Sequence, residues 1–431
     1  MTTESKSRKN RRIAGMLRKR IPEAKLGEVA DPRSLRGRRW PLETLLRVVI
    51  VSLIAGATSL AAAEHLTAEM SLAMMRLLRI GRRVPDTTLR GLLCQLDPNE
   101  LRRALCAMIR SAFRRKALAP LGFPFGILAM DGKDTALPSC DDNYAQRQTQ
   151  GEKGRLVGML RTITCTLVSS AAKVCIDAIP IPASTNEMGV FASAFQQVVD
   201  AYGSLSMFRL ISYDAGACSL ANATLVRTKM LHYLFGLKGT QPTLFTEAKR
   251  VLEHLPAEKA NAWSEDVVGA HTVIRRVFVT EEMAGFDVWS HLVTTIRIES
   301  ERLTRKGTRV AYENRYYITS LRRDELSDAQ WLRLIRLHWG VENNCHNTFD
   351  TALKEDDHPW ITASPQGALA VLLLRRIAYN FLTLFRTVTQ RAEERRGTPW
   401  KDLIRTVYNA VIAATAEQLA GLSARSSATP A

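Results

Sequence analysis

The 431-residue sequence contains no GxxxxGK[ST] phosphate loop and no GxGxxG after a strand-like run, so neither an ATPase nor a dinucleotide cofactor is indicated. Its seven cysteines (Cys94, Cys106, Cys140, Cys165, Cys175, Cys218, Cys345) stand singly, with no C-x-x-C pair. That scatter argues against a zinc finger or a disulfide framework and suits reduced thiols serving as small core residues. The opening MTTESKSRKNRR lacks an apolar stretch with a cleavage site, so no secretory signal is expected. The most apolar run, Val48 to Ala63, is sixteen residues long and holds Gly56, Thr58 and Ser59. It falls short of a membrane span and is expected to be a buried helix. Internal repeats are absent, and acids are scarce: 42 Asp and Glu face 60 Lys and Arg, leaving +18 and a pI near 9.9. A balance of that size favours a polyanionic partner, nucleic acid ahead of a membrane surface.

The length predicts two or three domains. Residues 1–40 form a basic arm with thirteen Lys and Arg against four acids up to Arg39, and Pro22 and Pro32 break its helical pattern. A solvated, disordered arm and an arm that neutralises phosphates are both compatible with it. Residues 41–118 are helical in pattern. Within them GRRVPDTTLRGLL could join the helices of a DNA-reading helix-turn-helix or of any small bundle. From 119 to 255 the texture turns to strands: FPFGILAMD ending at Asp131, a hairpin from Arg155–Ser170 and Lys173–Ile181, and SMFRLISYD ending at Asp214. With helices at 187–202, 219–231 and 243–255 and a strand at 233–237, the order is β-β-β-α-β-α-β-α. A mixed α/β sheet flanked by helices is expected. Residues 256–322 alternate apolar and polar positions, with Gly269, Gly285 and Gly307 at turns, and predict an antiparallel β-rich insertion. Its Arg275, Arg276, Arg297, Arg302, Arg305, Lys306, Arg309 and Arg315, with Tyr312, Tyr316 and Tyr317, could grip a phosphate backbone or form a solvated sheet face. Residues 323–390 carry one helix from 331 and a second apolar helix over 367–387. Residues 391–431 end in a last amphipathic helix and a low-complexity tail expected to be disordered.

Three carboxylates stand out. At 3.6 residues per turn Trp331, Leu334, Ile335, His338, Val341, Cys345 and Phe349 share one helical face, and Glu342 falls in its middle. A carboxylate there is costly unless paired, protonated or bound to metal. Arg336 or a histidine could simply satisfy it. Asp131 and Asp214 each end a strand, where aspartate is also a common turn former. Together the three make an oxygen-donor set suited to Mg²⁺ or Mn²⁺. Two such ions about 4 Å apart can activate an attacking oxygen and stabilise the leaving one at a phosphodiester. A softer site on His338, Cys345 and His346 is the competing metal reading.

LAMDGK (128–133), STNEM (184–188), ISYDAGAC (211–218), LKGTQP (237–242), YYITSL (316–321) and HWGVEN (338–343), in this order, resemble the DDE transposases of bacterial insertion sequences. The branch is the one that includes the H-repeat-associated proteins, and the similarity runs from about Asp31 to about Thr387. The resemblance implies a ribonuclease-H-like core in which Asp131, Asp214 and Glu342 are catalytic and bind two Mg²⁺, with Mn²⁺ able to substitute. Water would free a 3′-hydroxyl at the element's end, and that hydroxyl would attack target DNA. It further implies double-stranded DNA as partner (terminal inverted repeats and target), a homodimer on that DNA, no membrane, and a cytoplasmic, nucleoid-associated bacterial location. The family's Tyr, Arg and Lys signature positions hold Ile335, His338 and Phe349 here. Lys133, Arg336 and Lys354, with Arg305 and Lys306 of the insertion, are therefore the DNA-binding candidates. A catalytically inactive DNA-binding descendant and a structure-specific nuclease of the same fold are the alternatives.

Overall fold

A computed structural model describes residues 3–138, 143–150, 154–390 and 392–422. The chain begins with a helical region: α1 (Thr3–Arg20), α2 (Leu42–Ile54), α3 (Leu60–Glu69), α4 (Leu72–Leu78), α5 (Asp86–Leu93) and α6 (Pro98–Arg114). The basic arm is thus not a disordered tail up to Arg20. Its Ile13, Ala14, Met16 and Leu17 are buried, and α1 packs on two C-terminal helices, α14 (Trp400–Ala413) and α15 (Ala416–Leu419). The apolar stripe is short and hidden among many cations, and its partners lie almost four hundred residues away, so the sequence does not disclose the packing. The low-complexity tail beyond Leu422 lies outside the described residues.

Ten strands form one sheet among the described residues: β1 (Ile127–Leu137), β2 (Ala145–Gln150), β3 (Arg155–Leu167), β4 (Cys175–Pro180), β5 (Leu210–Tyr213), β6 (His232–Leu237), β7 (Ala262–Val268), β8 (His271–Thr280), β9 (Thr294–Thr304) and β10 (Arg309–Thr319). Their order is β2-β3-β1-β5-β6-β10-β9-β8-β7, with β4 on β3. β1, β5 and β6 are parallel and the other pairings antiparallel. The expected mixed sheet is present, with α7 (Glu187–Tyr202), α8 (Leu220–Thr228) and α9 (Pro242–Leu252) in the crossovers. Two strands went unforeseen. β2, AQRQTQ, is polar throughout, and β7 shows little burial contrast along its length. The insertion is an antiparallel meander with left-handed glycines at the 269 and 307 turns. Because β10 pairs with β6, it extends the central sheet rather than forming a separate layer.

Past the sheet come α10 (Asp328–His338), α11 (Asn347–Thr351), α12 (Pro365–Leu384) and the short α13 (Glu393–Arg396). Helix α12 and its π-helical extension to Thr389 are long and apolar enough to cross a membrane, yet their most apolar eighteen-residue stretch is wholly buried inside the protein. The helix lies between α2, α5 and α6 on one side and β4 on the other. Its Asn380 bonds the Cys175 backbone at both N–H (2.9 Å) and C=O (2.7 Å), which closes the free edge of β4.

Candidate active site

Parallel register brings the two aspartates together. Ala129 of β1 pairs with Ser212 of β5, so two residues further along both strands Asp131 faces Asp214. Asp214 lies just beyond β5, where its Oδ1 accepts the Gly216 N–H at 2.8 Å and caps the turn Ala215–Ala217. Asp131 differs from expectation: β1 does not end there but runs six residues further, because β3 keeps pairing with it as far as Leu137. Aspartate survives inside a strand because its side chain faces a cavity rather than the core.

The glutamate stretch also departs from a single helix. All seven residues of the expected apolar face are buried, but Glu342 is exposed. Residues Val341–His346 form a π-helical turn between α10 and α11, and the extra residue in that wider turn rotates Glu342 off the apolar face. His338 anchors the segment: its Nδ1 is 2.7 Å from Ser212 Oγ on β5, and burial lowers its pKa to about 4, so the ring is neutral.

Asp131, Asp214 and Glu342 line one cavity of about 300 Å³, along with Lys238, Arg315 and Trp339. Burial first, then the charges of Glu342, Glu187 and Asp214, push the Asp131 carboxyl up to about 8. Glu342, though its side chain reaches solvent, is raised by partial desolvation at the cavity wall and by Asp214, against Arg315. His346 Nδ1 lies 3.5 Å from Asp131 Oδ2. This is no ion pair, since burial, Arg376 and Lys133 lower the imidazole pKa to about 3.

Glu187, in the first turn of α7, is a fourth carboxylate that the sequence reading did not single out. It accepts the Tyr213 hydroxyl at 2.6 Å, next to Asp214 in sequence. Its only advance signal was the STNEM motif, where Asn186 caps the helix by accepting the Gly189 N–H at 3.0 Å. Gly132 makes room for it, because a Cβ there would lie 2.2 Å from Glu187 Oε2. Gly132→Ala should therefore turn Glu187 away from Tyr213 and cost about 1 kcal/mol, one net hydrogen bond. Denaturant unfolding of the single and double variants checks this; the cost should disappear in a Glu187→Ala background.

The expected DNA-facing cations are placed elsewhere. Lys133 is buried, with Nζ 2.8 Å from Asp350 and 3.3 Å from Asp356. Arg336 pairs with Asp266 at 3.1 Å, and Lys354 with Asp357 at 3.4 Å. None of the three lines the cavity. Arg305 and Lys306 sit at the β9–β10 turn. Most of the insertion's remaining arginines are tied to its own chain: Arg275 to Asp266, Arg276 to Glu299 and Glu301, Arg309 to Glu301, and Arg297 to the carbonyls of Glu253 and Leu255.

The cavity's donors are all oxygen, and their mutual repulsion is the charge pattern that a hard divalent cation relieves. By donor type and charge they fit such an ion. They stand apart, however, for no three His, Cys, Asp or Glu among the described residues are close enough to hold one ion jointly.

A family profile described as DDE_Tnp_1-associated matches residues 24–109, which cover α2 to α6. Two Escherichia coli (strain K12) proteins are each 30% identical to the chain over 186 residues: "H repeat-associated putative transposase YhhI" and "Putative protein YbfL". Over that stretch the chain is similar to an H-repeat-associated putative transposase. The matches cover 41% of the chain, which spans about half (47%) of each relative's length. The family profile falls on the N-terminal helical region alone and ends before Asp131, the first of the cavity's carboxylates.

Proposed function

We propose that this transposase-related chain is a DDE transposase that cuts DNA at the ends of an insertion sequence and joins them to target DNA. In this reading Asp131, Asp214 and Glu342 are the catalytic carboxylates of a ribonuclease-H-like core. The observation that carries it is the β1–β5 register, which seats two aspartates side by side on a rigid sheet while Glu342 reaches the same cavity from a segment pinned to β5 by His338. The sheet order β3-β1-β5-β6, parallel over its last three strands, suits that core. Asp131, Asp214 and Glu342 would hold Mg²⁺ or Mn²⁺, and the ions when bound would supply Lewis-acid activation of the attacking oxygen and neutralisation of the leaving one. Double-stranded DNA is the partner, in keeping with the charge of +18. A homodimer holding two inverted repeats in the bacterial cytoplasm belongs to the same proposal.

The test is cleavage of a labelled duplex carrying the inverted repeats that flank the gene, with Mg²⁺ or Mn²⁺. Asp131→Ala, Asp214→Ala and Glu342→Ala should each lower the rate by about 10²-fold or more, the scale on which aligned electrostatic groups act. Undiminished cutting by all three variants refutes the assignment. A second reading, a DNA-binding descendant without catalysis, is favoured by the separation of the donors. It requires salt-sensitive binding of the repeats with no cleavage under either metal.

A further inference from the structure

The cavity's other wall has a charge arrangement that folding alone does not explain. In the β6–β10 ladder Leu237 pairs with Tyr316, and the next residues outward on the two strands are Lys238 and Arg315. Like charges at facing positions destabilise a sheet. Here both cations line the cavity that holds the carboxylates, and they are the only cationic lining groups there, since His338 is neutral. Arg315 is held in place from two sides. Its guanidinium carbon lies 4.6 Å from the Trp339 ring centroid, and its Nε is 2.7 Å from Glu313 Oε1. Trp339 is three residues before Glu342, so the cation is fixed to the segment that delivers the glutamate. Lys238 is exposed and has no carboxylate partner among the described residues.

We propose that Arg315 and Lys238 are the seat for a DNA backbone phosphate next to the scissile one. A polyanion entering a cavity lined by Asp131, Asp214 and Glu342, with Glu313 beside Arg315, needs cations there, and these two stand in that lining. Glu313 occupies Arg315 in the absence of DNA, as a carboxylate stand-in for the phosphate, and gives way to it. The inference rests on the DNA-processing reading above. It assigns the phosphate contact to the β6–β10 ladder instead of to Lys133, Arg336 or Lys354.

Fluorescence anisotropy of a short labelled duplex of mixed sequence, titrated with full-length protein at several salt concentrations, tests it. Each lost phosphate contact lowers the slope of log affinity against log salt by about 0.9. Arg315→Gln and Lys238→Gln should each lower it by that amount, and the double variant by twice as much. Arg315→Lys should restore the slope, and Glu313→Gln should tighten binding, an effect that a merely structural role for Arg315 would not produce. Lys238 is exposed, so its variant reports on contact even if Arg315→Gln unfolds the ladder. Unchanged slopes in both variants, or a fall in Arg336→Gln and Lys354→Gln instead, overturn the proposal and leave the transposase reading standing. No salt-dependent binding by the unaltered protein overturns both.

Discussion

Asp131→Asn is expected to raise the thermal midpoint of the metal-free protein at pH 8 and to leave it nearly unchanged at pH 4. The Asp131 side chain is only 18% exposed, and burial with three neighbouring carboxylates lifts its pKa from 3.8 to about 8. Below pH 4 the folded and unfolded chains both carry this proton, and the group is indifferent to folding. Between pH 4 and pH 8 the unfolded chain releases it while the folded chain keeps it, so stability falls by about 1.4 kcal/mol per pH unit. Above pH 8 both forms are ionised and the penalty levels off at about 6 kcal/mol. Asparagine keeps the shape and removes the charge, so the variant's midpoint should fall by less than the unaltered protein's at every step of this window, the gap between the two opening from pH 4 to pH 8. Scanning both proteins in chelator from pH 4 to pH 8 decides the matter, and parallel curves would sink it. The same sign applies to Glu342 and Glu187, which burial also raises.

What could be read from the sequence depended on how local its cause was. The apolar face from Trp331 to Phe349 obeys helical spacing, and all seven positions are buried. The π-helical turn is invisible to that spacing, because one inserted residue shifts Glu342 without changing which hydrophobes are buried. Asp131 and Asp214 were legible as candidates, but their adjacency is a matter of register between strands some eighty residues apart. The polar run Gly132–Lys133–Asp134–Thr135 looked like the end of a strand, and only its partner β3 makes it one. Lys133 looked ready for phosphate since nothing near it in sequence discloses Asp350 and Asp356. Glu187 was missed, and Arg315 stood out only as one of eight basic residues of the insertion, for the same reason: each draws its place from a neighbour on another element, Tyr213 and Trp339.

Arg376→Met is expected to be among the most destabilising single changes in the chain, by about 3–5 kcal/mol, the cost of leaving one member of a buried ion pair alone. Arg376 and its partner Glu355 are both 0% exposed. Burial pushes Glu355 up, yet Arg376, Arg375 and Lys133 more than offset it and hold the carboxyl below its usual range. Arg376 also stacks 3.8 Å from the Phe349 centroid, and Arg375 bonds the His358 carbonyl. These contacts join α12 to the segment 349–358, which in turn presents Asp350 and Asp356 to Lys133, two residues from Asp131. The pair therefore fixes the far end of the glutamate segment to the strand that carries the first aspartate. Glu355→Gln should cost less, because an amide can still accept from Arg376. Replacing both residues by Met should recover much of the loss, since apolar pairs of similar volume often match a buried ion pair. Urea unfolding of the unaltered protein, Arg376→Met, Glu355→Met and the double Met variant gives the coupling directly, and additive losses in the double variant would show that the two charges do not depend on each other.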